Sequence, residues 1–235
     1  MVATLLVGAV SRPIAAAEPR ITRTPSYANL TGRVVLDNER VLVQAFSIQP
    51  GQATGRHAHR DAELLVFVKG GIFKSESDGR ATLWKDGRVV WLRPSKIGDD
   101  GSINAGDAPI ELIEVVLKPW SPSPGATSKN ADYGYLTYPN IPGEDVFEND
   151  RVIVQRFVMN PGQWEGVHAH HPNTLYIFIT GGQWLSRTTN PPSQIVGNSP
   201  AGDVGWMPAI DLSAGHESGN TGKTPSDVVW IALKK

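Results

Sequence analysis

Residues 36–59, LDNERVLVQAFSIQPGQATGRHAH, recur without a gap as residues 147–170, FENDRVIVQRFVMNPGQWEGVHAH. Further on, Asn104-Ala-Gly106-x-x-Pro109 matches Asn220-Thr-Gly222-x-x-Pro225, and Leu117-Lys118 matches Leu233-Lys234. The offset is 111 residues at His57 and His168 but 116 at Asn104 and Asn220, so the second copy carries five extra residues. The 190–200 loop or the stretch after Pro208 is the expected place for them. Self-similarity at so long a period marks a duplicated folding unit. The chain therefore divides into units at 18–118 and 132–235. The connection at 119–131 begins Pro-Trp-Ser-Pro-Ser-Pro-Gly and has little to bury.

Each copy is a series of short apolar runs separated by glycine or proline turns. The first has Val41–Ile48, Leu64–Val68, a hairpin around Asp78-Gly79, Val89–Leu92 and Ile110–Leu117; the second has Val152–Met159, Leu175–Ile179, Val204–Met207 and Val228–Leu233. With 24 glycines, 18 prolines and no long amphipathic period, helices are disfavoured. The fold class is all-β, and the even spacing of strands predicts an antiparallel double-sheet roll or small barrel in each copy.

The chemistry concentrates in the last residues of the repeat. Side chains at i and i+2 of an extended strand share a face, so His57 and His59 project side by side, as do His168 and His170. Glu63 follows in the first copy, and a turn into the next strand can bring it beside the pair. Two imidazoles and a carboxylate suit a divalent transition metal. The chain has no cysteine, which removes disulfides, thiolate sites and cysteine nucleophiles together. Its formal charge is −1 with no basic cluster, which argues against nucleic acid and against a charged membrane surface as partners.

The spacing Gly51-x5-His57-x-His59-x3-Glu63-x6-Gly70 resembles the first motif of the cupin superfamily at every position. Gly162-x5-His168-x-His170, with Thr174 and Gly181 following, resembles it in the second copy. His216, four residues before Asn220, stands where the second cupin motif supplies a further histidine. The chain thus looks like a bicupin over roughly residues 35–235. The resemblance implies two tandem double-stranded β-helix (jelly-roll) barrels, each holding Fe, Mn, Ni, Cu or Zn on three histidines and a glutamate. Carried over residue by residue, the first site would be His57, His59 and Glu63, with Asp100 in the fourth place. The second would be His168, His170 and His216, with Thr174 where the glutamate is expected and able to hydrogen-bond a metal-bound water. His171 is expected on the surface or behind the ligands.

The resemblance implies a metal-dependent enzyme acting on a small organic substrate, dioxygenase chemistry being the leading reading. Isomerase or lyase chemistry, and a non-catalytic metal or small-ligand binder, are the alternatives. Three neutral imidazoles leave the metal's charge uncompensated in the second copy, which favours an anionic or enolisable substrate. A homodimer is compatible with this reading. The strand aromatics, among them Phe46, Phe67, Phe157, Tyr176 and Phe178, are expected as core. Gln52, Gln163, Asn104 and Asn220 are expected as turn residues. Residues 1–17 combine an apolar run with Ala15-Ala16-Ala17 before Glu18-Pro19, resembling a secretory signal peptide without its basic start. Export to the periplasm or outside the cell follows if that segment is one; otherwise the protein is cytoplasmic.

Overall fold

The apolar runs at 41–48 and 152–159 do not alternate cleanly, and both show the same burial along their length. Such strands must be covered on both faces. The computed structural model describes residues 27–94, 101–119 and 135–234. Asp100, the 1–17 segment and the connection from 120 to 131 therefore lie outside the described residues.

The first copy contains β1 (Arg33–Asp37), β2 (Val41–Ile48), β3 (Ala62–Lys69), β4 (Gly71–Ser75), β5 (Ala81–Trp84), β6 (Val89–Leu92), β7 (Ser102–Asn104) and β8 (Ile110–Leu117). The second contains β9 (Glu144–Glu148), β10 (Val152–Met159), β11 (Thr174–Thr180), β12 (Gly182–Thr189), β13 (Pro192–Ser199), β14 (Val204–Met207), β15 (Glu217–Asn220) and β16 (Ser226–Leu233). A five-stranded sheet ordered β1-β2-β8-β3-β6 faces a three-stranded sheet β5-β4-β7 in the first copy. The second repeats this as β14-β11-β16-β10-β9 with β13-β12-β15. All pairings are antiparallel, and the duplicated all-β architecture expected from the repeat is present.

The strands absent from the sequence reading are β1, β7, β9, β12, β13 and β15. They are half-buried or polar-faced, so their apolar runs are too short to register. The five extra residues are divided between the two expected places. Gly71 pairs with Trp84 across the first hairpin, whereas Gly182 pairs with Ser199, so the β12–β13 hairpin takes four of them. The fifth falls between β14 and β15.

Residue parity explains the two-sided burial. Val41 and Val43 of β2, Leu64 and Val66 of β3, and Val115 of β8 join Val152, Val154, Leu175, Ile177 and Ile231 in one hydrophobic core shared by the two copies. The intervening residues of the same strands point into their own barrel: Phe46, Ile48, Phe67, Ile110 and Leu112 form a second core with Phe73 and Trp84 of the smaller sheet. Trp91 stacks on Phe147 across the junction at 5.7 Å, and the Arg40 guanidinium donates to the Lys234 carbonyl at 3.0 Å. The two barrels pack back to back through their larger sheets.

Truncating a residue of this shared core removes packing from both barrels. Leu64→Ala and Ile177→Ala are each expected to lower the unfolding free energy by roughly 2–5 kcal/mol. Denaturant titration followed by tryptophan fluorescence should show one cooperative transition for each variant. Two separated transitions would mean that the barrels do not share a core.

Candidate metal centre

The strand-like segment that carries His168 and His170 is held by backbone pairing on both of its histidines. The His168 amide donates to the His216 carbonyl at 3.0 Å, and His170 exchanges hydrogen bonds with Ile210 at 2.9 and 3.0 Å. This pairing brings His216, 48 residues away in sequence, directly opposite His168. One donor nitrogen from each of the three imidazoles lies within 4.8 Å of the others, and all three side chains are buried. Gly166 sits at φ +83° in the turn that leads into the segment. Its carbonyl accepts a 2.8 Å hydrogen bond from His168 Nδ1. That bond fixes the tautomer and leaves the Nε2 lone pair facing the cluster.

Burial, above all, pushes the His168 pKa down to about 4, and the neighbouring His216 pushes the same way. Burial likewise takes His170 down to about 2, with His168 and His216 adding to the effect, and lowers His216. The three imidazoles are neutral at pH 7, the form that ligates metals. His168 Nε2 and His170 Nε2 stand 2.9 Å apart. That spacing suits an N–H···N hydrogen bond when His170 carries its proton on Nε2, and equally two nitrogens sharing one divalent cation. The donor set therefore fits a divalent transition metal, and His168, His170 and His216 are the residues that would hold it.

Thr174 does not complete this cluster. Its hydroxyl donates to the His171 carbonyl at 3.0 Å, and His170 Nδ1 is left buried without a hydrogen-bond partner. In the first copy the equivalent positions do meet, because Glu63 Oε2 lies 2.6 Å from His59 Nδ1. The first site differs from the expected one in a second respect. Glu63 approaches His59 from its Nδ1 edge, and the group of converging donors there is His59, Glu63 and Glu114, all buried. His57 is not part of that group. It is half-buried, bonded through Nδ1 to the Gly55 carbonyl at 2.7 Å and packed edge-on to His59 at 4.9 Å between ring centres. The reason is directional: Glu63 and Glu114 come from inward positions of β3 and β8, behind His59 as seen from His57.

Two carboxylates escaped the sequence reading. Glu114 sits at the inward parity of an otherwise apolar strand, between Leu112 and Val116, and that misplaced charge is a legible signal. Glu165 occupies the place of Thr54. The Thr54 hydroxyl accepts from the Ser102 amide at 2.9 Å, and Glu165 Oε2 accepts from the equivalent Ser218 amide at 3.0 Å. Glu165 Oε2 is also 3.8 Å from His168 Nε2. Burial raises its pKa to about 8, against the opposing pull of the Ser218 hydrogen bond. The Tyr138 ring packs on His168 at 4.5 Å.

The interiors of the two barrels also differ. A cavity of about 340 Å³ opens beside His170, His216 and Glu165, walled by Phe157, Tyr176, Phe178, Trp184 and Trp230. The equivalent space in the first barrel is filled. Ile110, Leu112 and Trp84 stand where the second has Ser226, Val228 and Ser199, and Trp84 stacks on Phe67 at 5.2 Å. A Cβ placed on Gly71 would come within 2.6 Å of Ile110, whereas one on the equivalent Gly182 would sit 3.6 Å from Ser226. The aromatics expected as core are so in the first copy, and Phe157 is buried with Tyr138, Ile141 and Met159 in the second, where it also lines the cavity together with Tyr176 and Phe178. The turn residues behave as expected. Asn104 and Asn220 each bridge two backbone carbonyls, and Gln52 and Gln163 each cap the start of their own turn.

No protein-family model and no curated protein matches the sequence. Solved structures do match the fold. A cupin 2 conserved barrel domain protein from Leptotrichia buccalis superposes with a TM-score of 0.52 at 12% identity, over 90% of this chain and 92% of that one. Both halves share the barrel fold of these cupin structures. A mutant of Bacillus subtilis oxalate decarboxylase gives 0.55 at 14% identity over 90% of this chain and 74% of its own. Salicylate 1,2-dioxygenase from Pseudaminobacter salicylatoxidans gives 0.56 at 10% identity over 88% and 77%. Cupin neighbours thus include a dioxygenase and a decarboxylase, and this chain has histidine and glutamate groups that could hold a metal.

Burying three neutral histidines makes the metal-free protein sensitive to acid. Their folded-state pKa values lie below the ordinary 6.5, so their contribution to stability is present above pH 6.5. It is lost as pH falls through about 4 for His168 and toward about 2 for His170, because the unfolded chain takes up protons first. The thermal midpoint of chelator-treated protein should fall more steeply below pH 6.5 than that of a His168→Asn, His170→Asn, His216→Asn variant. Parallel curves would show that the three imidazoles are not buried as neutral groups.

Proposed function

We propose that the protein is a metal-dependent bicupin enzyme whose reactive centre is the second barrel, acting on a small organic molecule by dioxygenase-type chemistry. The observation that carries this reading is the coincidence of three neutral imidazoles with an apolar cavity in the second barrel. Similarity to a dioxygenase and a decarboxylase supports a reactive role over a structural one. Oxygen chemistry is preferred because a three-histidine set leaves coordination positions open for both substrate and oxygen.

His168, His170 and His216 would hold Fe, Mn, Ni, Cu or Zn. A metal held there supplies Lewis-acid polarisation of the substrate and a place for oxygen. The rest falls to the chain's own side chains. Phe157, Phe178 and Trp230 exclude water and take up the apolar body of the substrate. Glu165, fixed by the Ser218 amide, sets a proton-exchanging carboxyl at the substrate's polar end. In the first barrel, filled by Ile110 and Leu112, the His59–Glu63–Glu114 cluster acts as internal support.

Elemental analysis and oxygen uptake test this together. Replacing His168 and His170 by alanine should remove near-stoichiometric metal and lower oxygen uptake on a panel of catecholic and enolisable substrates by at least about 100-fold. Replacing His57 and His59 should leave oxygen uptake within about threefold of wild type, since neither side chain borders the cavity. Metal retained without oxygen uptake by the wild type would favour a binding protein or a non-oxidative cupin enzyme. Uptake that survives loss of His168 and His170 would overturn the reading.

A further inference from the structure

Neutral ligands admit two kinds of substrate, anionic and enolisable, and the wall of the second barrel separates them. We infer that this barrel selects an uncharged, mainly apolar or aromatic molecule with one hydroxyl or carbonyl end, and discriminates against carboxylates. The inference rests on the reading of the second barrel as the reactive one.

Among the described residues no lysine or arginine lines the cavity, and Glu165 is its only carboxyl group. The cations on neighbouring strands are engaged elsewhere. Arg187 bonds Glu217 at 2.5 and 2.8 Å and lies over the Trp164 ring, and Arg156 bonds Asp227 at 2.8 Å. A carboxylate entering this space would lose its hydration and meet no counter-charge from the wall. Glu165, whose Oε2 lies 3.8 Å from His168 Nε2, likewise offers an anionic end no counter-charge. A hydroxyl or carbonyl end finds partners in Glu165 and Ser218, while Phe157, Phe178 and Trp184 offer faces for an aromatic body. The β12–β13 hairpin, longer than its counterpart, adds Thr188, Ser193 and Ile195 to the wall, again without charge.

The probes are 2-naphthol and 2-naphthoate, which share a naphthalene body and differ in charge at pH 7, titrated anaerobically into the metal-loaded protein by calorimetry. 2-Naphthol should bind at least about 10-fold more tightly. The double variant Ser226→Ile, Val228→Leu, which reproduces the filling of the first barrel, should abolish 2-naphthol binding while the metal content stays the same. Equal or tighter binding of 2-naphthoate, no binding of either probe, or unchanged 2-naphthol binding by the double variant would each overturn the substrate class. Metal content and oxygen uptake, measured on the same preparations, report separately on the second barrel as reactive centre, so the two failures are distinguishable.

Discussion

The structure depends on two five-stranded sheets that have no solvent face. One side of each sheet packs against the sheet of the other copy, through Leu64, Val66, Val115, Leu175, Ile177 and Ile231. That shared core fixes strand register, because a slip of one residue would turn every apolar side chain away from it. Register in turn decides which residues point into the barrels. Glu63 lies beside Leu64, Glu114 beside Val115, Thr174 beside Leu175 and Trp230 beside Ile231. Each inward residue is therefore aimed by its outward neighbour, and the polar interior is held in place by apolar packing it does not touch.

On this common frame the two interiors have diverged. In the first barrel large side chains close the space, and Glu63 and Glu114 converge on one histidine, His59. In the second, small side chains open the space and three histidines converge without a carboxylate among them. The changes are complementary. Glu63 becomes Thr174 and Glu114 becomes Trp230, which removes acid from behind the histidines, while Thr54 becomes Glu165, which restores one carboxyl on the cavity side. A single backbone thus carries a packed barrel and an open one, and a handful of side-chain volumes and charges makes the difference.

Glu165 illustrates how a structural hydrogen bond can acquire a chemical role. The amide of residue 102 or 218 needs an acceptor in both copies, and either a hydroxyl or a carboxyl satisfies it. Choosing the carboxyl costs desolvation, visible in a pKa raised to about 8, and gives the cavity wall a group able to exchange protons near neutral pH. Tyr138 and the apolar wall keep water from relieving that cost.

The sequence alone determined the duplication, the all-β class, the pairing of His168 with His170 and the turn roles of Asn104, Asn220, Gln52 and Gln163. These follow from the period of two along a strand and from turn chemistry, both confined to a few neighbouring residues. It also indicated His216, through resemblance, although that side chain meets the others only by pairing across the barrel. Tertiary structure decided the rest: that Glu63 lies behind His59 and not beside His57, that Glu114 and Glu165 are buried, and that one barrel is full and the other open. Each of these depends on side chains from distant strands competing for the same volume, and a linear sequence does not record which of them share it.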